Sequence, residues 1–95
     1  IMNPHFIVHE PTDSVGVVVV DQVEAGEEVN GWVMETDETI SLKVSEMVLL
    51  GHKLALKDIS VGDTIYKYGQ DIGKAVGNIL EGGHVHVQNV KTKRW

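Results

Sequence analysis

One seven-residue pattern recurs four times and constrains the fold of this chain more than any other feature. An apolar residue is followed by two others, a glycine, two others and a second apolar residue. It reads "VEAGEEV" at 23–29, "VLLGHKL" at 48–54, "ISVGDTI" at 59–65 and "ILEGGHV" at 79–85. A glycine three residues from an apolar anchor on each side suits a tight turn requiring positive φ, which glycine adopts without steric cost. Each copy therefore reads as a place where the chain bends into a new strand. The copies start 25, 11 and 20 residues apart. Such irregular spacing indicates a compact barrel or clip rather than a stacked solenoid.

The segments between and around the turns are short and rich in β-branched residues. Strands are expected at 5–10, 14–21, 29–36, 39–44, 53–57, 64–69, 72–79 and 84–90, with turns at "PTD" and "ETDET". No segment keeps apolar residues at helical spacing for long, so the expected class is all-β with little helix.

The 95 residues make one small domain with room for one modest core. Ile1, standing before Met2, reads as an added residue. The chain has no cysteine, which excludes disulfides and zinc–thiolate sites and suits a reducing compartment. The longest apolar stretch, "VGVVVV" at 15–20, is far too short to span a membrane, and a soluble cytoplasmic setting is expected. The net charge of −6 is unevenly spread: residues 1–42 hold nine acids and no Lys or Arg, whereas 43–95 hold five acids and all eight basic residues. A nucleic-acid binder needs a continuous basic face, which is absent, but an anionic small molecule is compatible with the C-terminal half. The basic tail 91–95, ending in Trp95, is expected to contribute to docking on a partner.

Alternation along an extended strand puts His84, His86 and Gln88 on one face, with Val85, Val87 and Asn89 on the other as the buried side. A solvated outer face accounts for the imidazoles. Two histidines two apart on a strand also reach a common metal ion, although a usable site needs further ligands and an open position. No second ligand cluster stands out, and His5 and His9 read as surface residues. "GHK" at 51–53 is either an exposed polar turn or a turn holding His52 and Lys53 near a ligand carboxylate. Lys67 shares a strand face with Ile65 and Gly69, while Tyr66 and Tyr68 share the other. Asp58, Asp63 and Asp71 fall at turns, where Asx-type hydrogen bonds explain them. No nucleophile motif, phosphate-binding glycine loop or paired-carboxylate arrangement is present.

"GHKLALKDISVGDTIYKYGQDIGKA" followed by "GGHVHVQNVKTKRW" resembles the small SAF-type domain of the altronate dehydratase family. There the corresponding stretches run GHK-I-A-L, then I-K-Y-G with I-G shortly after, then G-E-H-V-H-V-H-N. "DSVGVVVVD" and "GW" upstream also match. Two positions depart from the pattern: Gly83 replaces a Glu, and Gln88 replaces a third His, so three histidines cannot ligate from this strand alone.

The resemblance implies a β-clip fold and a small subunit working with a large catalytic lyase subunit. The implied chemistry is β-elimination from a 2-hydroxy acid: a proton leaves C2, a group leaves C3, and the enol becomes a 2-keto acid. (2R)-3-Sulfolactate, giving pyruvate and sulfite, is the first expectation. An altronate- or galactarate-type dehydratase subunit is the second, and a non-catalytic SAF binding module is the alternative of another class. The resemblance further implies a divalent metal, Fe(II), held mainly with the large subunit. His84 and His86 are the expected catalytic residues or metal ligands. His52, Lys53, Lys67 and Asn89 are the expected substrate-binding residues, Lys67 to neutralise a sulfonate and Asn89 to order the end of the strand.

Overall fold

The computed structural model describes residues 3–86 and 88–91; the expectations placed on Ile1 and on residues 92–95 lie outside them. Eleven short strands follow one another, and no helix occurs among the described residues. They are β1 (Phe6–Val8), β2 (Val15–Val18), β3 (Gln22–Val23), β4 (Glu28–Val33), β5 (Glu38–Lys43), β6 (Val48–Leu49), β7 (Lys53–Ala55), β8 (Thr64–Lys67), β9 (Gln70–Ala75), β10 (His84–Val85) and β11 (Val90–Lys91). A six-stranded sheet runs β10-β7-β2-β1-β4-β5, with a three-stranded sheet β11-β9-β8 and a two-stranded ribbon β3-β6. Only the β1–β4 pair among these is parallel. This is the all-β architecture of short bent strands expected from the sequence.

The repeated glycine pattern makes the bends. Gly26, Gly51, Gly62 and Gly82 sit at φ of +86°, +83°, +88° and +81°. In each copy the next residue donates its N–H to the carbonyl three residues back: Glu27 to Glu24, His52 to Leu49, Asp63 to Ser60 and Gly83 to Leu80, at 2.8–3.0 Å. A positive φ at the third position with that bond is a type II turn. All eight apolar anchors are buried, none more than 5% exposed, so each turn is held by a side chain in the core on either side. The copies also pair. The first meets the second through β3–β6, and the third meets the fourth through the Ile59–Ile79 bridge.

Two adjoining clusters form the interior. One centres on Phe6, Val29, Leu54 and their neighbours; the other comprises Val15, Ala55, Ile59, Ile65, Ala75, Ile79 and Val85. Burying each Val, Leu, Ile or Phe side chain among them contributes about 1.5–3 kcal/mol. Val85, fully buried, thereby fixes the short strand that carries His84.

Several sequence expectations need correction in detail. The expected strand 84–90 is not continuous: β10 ends at Val85, residues 88 and 89 form a turn, and β11 begins at Val90. β3 and β6, two residues each, were not anticipated as separate strands. Asp63 and Asp71 do make local Asx bonds, to the N–H groups of Ser60 and Gly73. Asp58 instead accepts from the distant Glu81 N–H at 2.8 Å and so supports the fourth turn. Among the described residues, no helix is long and apolar enough to cross a membrane.

Candidate functional site

The second and fourth turns meet because β7 and β10 pair antiparallel, with His84 opposite Leu54 and Val85 opposite Lys53. His52, one residue before β7, is thereby carried to His84, although 32 residues separate them in sequence. His52 Nδ1 lies 2.8 Å from His84 Nε2. The His52 and His86 rings stack with centroids 4.1 Å apart, and His84 and His86 lie 5.6 Å apart, all three planes within 19° of parallel. His84 and His86 thus do emerge together, as alternation implied. The third member of the cluster comes from the other turn.

The hydrogen bonds assign the protons. The Gln88 amide nitrogen, which can only donate, lies 3.0 Å from His84 Nδ1. Neutral His84 then carries its proton on Nε2 and donates to His52 Nδ1. Gln88 reaches His84 through the turn rather than by sharing a strand face. Asn89 closes that turn: its amide donates to the His84 carbonyl at 2.7 Å, and its side-chain oxygen accepts from the His86 N–H at 3.0 Å. The Asn89 side chain is therefore occupied in shaping the loop that presents the imidazoles.

Burial lowers the His84 pKa below its ordinary 6.5; His52 and Lys53 act in the same direction, and Glu46 opposes them. His86 is lowered by burial first, then by His52, Lys53 and His84. Lys53 is itself held below its usual value by burial and by the nearby Lys67 ammonium. Lys67 Nζ sits 5.0 Å from the centroid of the Tyr68 ring. The imidazole cluster thus adjoins Lys53, which Lys67 in turn influences, in a chain of net charge −6, a local field suited to an anion.

The same residues suit a divalent metal. One ring nitrogen from each of His52, His84 and His86 lies within 4.8 Å of the other two. Among the described residues, His86 Nδ1 is a buried polar atom with no hydrogen-bond partner, a condition natural proteins rarely leave without a purpose. Three imidazoles are a donor set for iron, zinc, copper or nickel. His5 and His9 are engaged elsewhere: His5 Nδ1 accepts the Asn30 N–H at 3.1 Å, and His9 packs edge-on against Tyr68. No local sequence signal marks Gln88 as the partner of His84 or Glu46 as its electrostatic neighbour, since both relations arise across turns.

Residues 4–93 match the altronate/galactarate dehydratase SAF domain family. The chain belongs to this family. Within it, the chain is 51% identical over 94 residues to the (2R)-sulfolactate sulfo-lyase subunit alpha of Chromohalobacter salexigens, covering 99% of this SAF domain and 100% of that subunit. The subunit of the same name from Paracoccus pantotrophus is 61% identical over 46 residues, 48% of this chain and 69% of that one. Altronate dehydratase of Escherichia coli K12 is 39% identical over 80 residues, 84% of this SAF domain but 15% of that much longer enzyme.

Proposed function

We propose that this SAF domain is the small subunit of a carbon–sulfur lyase that converts (2R)-sulfolactate to pyruvate and sulfite together with a larger subunit. The observation that carries this reading is the 51% identity along essentially the whole of both chains to a sulfolactate sulfo-lyase alpha subunit. The absence of cysteine is consistent with work in the cytoplasm. In the elimination, the C2–H proton passes to a base, its electron pair forms the C2–C3 double bond, and the C3–S bond breaks to release sulfite. The enol then takes a proton at C3 and gives up its C2 hydroxyl proton to become pyruvate.

The chain's own residues have distinct parts in this scheme. His52, His84 and His86 are the residues that would hold a divalent metal, with Fe(II) our choice. So held, a metal would supply Lewis-acid stabilisation of charge developing on the substrate carboxylate, worth several kcal/mol. To ligate through Nε2, His84 would carry its proton on Nδ1 instead, with the Gln88 amide turned to accept it through its oxygen. Gln88 would thus fix the ring plane of His84, while Asn89 fixes the loop. Lys53 and Lys67 supply positive charge for the anionic ends of the substrate. The buried anchors Leu54 and Val85 hold the two turns in register.

Purified complex with the large subunit, assayed for sulfite release from sulfolactate, tests the reading. The same assay with altronate or galactarate tests the hydro-lyase alternative that the 39% relative keeps open. Replacing both His84 and His86 by Ala is expected to lower turnover at least 100-fold, the order of a lost acid–base or polarising group. Turnover within threefold of the parent would remove this cluster from the mechanism. Absence of any complex or turnover would favour a binding module without catalysis.

A further inference from the structure

The second turn carries two leucines that its geometry does not require. In each copy of the repeated pattern the turn demands only the glycine, and the two residues before it can be polar. They are Glu24 and Ala25 in the first copy, Ser60 and Val61 in the third, and Leu80 and Glu81 in the fourth, but Leu49 and Leu50 in the second. Leu50 stands at the corner of its turn, 55% exposed, and Leu49 is 44% exposed. Neither belongs to the two core clusters. Met47, on the side of Leu49 by strand alternation, is 49% exposed, whereas Val48 between them is buried.

This patch adjoins the imidazole cluster. The Leu50 N–H donates to the Asp21 carbonyl and the Gly51 N–H to the Val18 carbonyl, both at 2.9 Å, and the Val18 N–H donates to the His52 carbonyl at 3.0 Å. These bonds lay the chain that bears exposed Val19 along the second turn. His52, two residues after Leu50, stacks on His86 and bonds to His84, and all three histidines are only partly buried. On the opposite side Leu49 faces Gln22 of β3, whose amide donates to the Glu24 carboxylate, both residues exposed. An exposed apolar centre with a polar edge is the layout of a protein–protein interface.

We propose that Leu49 and Leu50, flanked by Val19 and Met47, are the surface on which the large lyase subunit docks. The proposal rests on the lyase reading above and adds where the two subunits meet. The neighbouring histidines commit the patch to that partner. Three imidazoles are an incomplete site that needs further groups, and a chain seated on Leu49 and Leu50 reaches the open side of those rings to supply them. The stretch similar to this chain makes up 15% of Escherichia coli altronate dehydratase, where the rest of the enzyme lies on the same polypeptide. A separate small subunit has no such link and must hold its partner through a surface.

Calorimetric titration of the chain into purified large subunit tests it, comparing wild type, the Leu49→Gln/Leu50→Gln variant and Val61→Gln. Val61 is the control, a still more exposed residue at the corner of the third turn. The double variant is expected to raise Kd about 100-fold, equivalent to about 2.8 kcal/mol, with the Tm and the histidine ring NMR signals of the isolated chain unchanged. Val61→Gln should move Kd less than threefold. If the double variant does not fold, Leu50→Gln alone should raise Kd about tenfold. Unchanged affinity in the leucine variants, or an equal loss in Val61→Gln, would overturn the proposal. So would a wild-type homodimer, seen by sedimentation, that the leucine changes disperse, because the patch would then belong to a second copy of this chain. A wild-type chain that neither binds the large subunit nor releases sulfite with it would reject the lyase reading and the proposal with it. Sulfite release with unchanged affinity in the variants would reject only the docking surface.

Discussion

The four turn glycines offer a graded test of how the fold is held. At Gly26, Gly51 and Gly62 an added Cβ would meet nothing within 4 Å, so Gly→Ala there costs only the backbone penalty of positive φ. That penalty is about 1–2 kcal/mol. For a domain of this length it lowers Tm by roughly 4–8 °C per kcal/mol. Gly82 has the same φ range but no space: its Cβ would lie 2.1 Å from the Lys43 carbonyl oxygen and 3.0 Å from the Ser45 nitrogen. Relief requires backbone to move, yet both strands are tied there. Gly82 donates to the Ala55 carbonyl at 2.8 Å, and Ser45 donates to the Gly82 carbonyl at 2.9 Å. Losing two such bonds adds about 1 kcal/mol each, and the overpacking adds about 1–3 kcal/mol. Gly82→Ala should therefore cost about 4–7 kcal/mol, a large part of the 5–15 kcal/mol typical of a whole domain. Thermal and urea denaturation followed by circular dichroism measure this directly. A Gly82→Ala cost within 1 kcal/mol of the other three would refute the claim that this turn, and the His84 position it sets, is fixed by close backbone approach.

Two further outcomes follow from the imidazole cluster. Gln88→Leu removes the hydrogen bond to His84 Nδ1 at an exposed position; it should leave Tm nearly unchanged but weaken metal binding or turnover about 10–100-fold, measured by Fe(II) titration and sulfite release. In the chelated chain, the lowered pKa values of His84 and His86 mean that the unfolded form binds more protons below its ordinary 6.5. Stability should therefore fall as pH drops through 6.5 and level off below the folded values; parallel Tm–pH curves for wild type and the His84→Ala/His86→Ala variant would contradict this.

Local signals in the sequence were reliable where local chemistry decides. The eight anchors and four glycines announced the turns, because a positive φ and a buried side chain on either side are requirements of a few consecutive residues. The valine–histidine alternation was a weaker guide. It placed His84 and His86 together, but it could not show that Asn89 folds back on the His84 carbonyl and ends the strand. Side-chain closure of a loop leaves no periodic trace. His52 was legible as a candidate but not as the third imidazole, since its meeting with His84 depends on which strands pair. Asp13 was hidden for the same reason: it is buried and accepts the Tyr68 and Gly69 N–H groups, partners visible only once the β8–β9 hairpin packs against the chain leading into β2.

The turns themselves explain why the chemistry sits where it does. In each copy the two residues after the turn glycine lie at the exit of the bend: Glu27 and Glu28, His52 and Lys53, Asp63 and Thr64, Gly83 and His84. The first and third copies place acids there, and the second and fourth place imidazole and ammonium groups. Because the sheet order joins β10 to β7, the two basic exits lie side by side, while the first and third copies meet the second and fourth only at their entrances, through β3–β6 and the Ile59–Ile79 bridge. One device for bending a short chain therefore doubles as a device for presenting side chains, and strand pairing decides which of its copies share a site. A histidine moved from 52 to the equivalent position 27 would keep the turn and lose the cluster, because the first turn pairs through β3–β6 and not with β10.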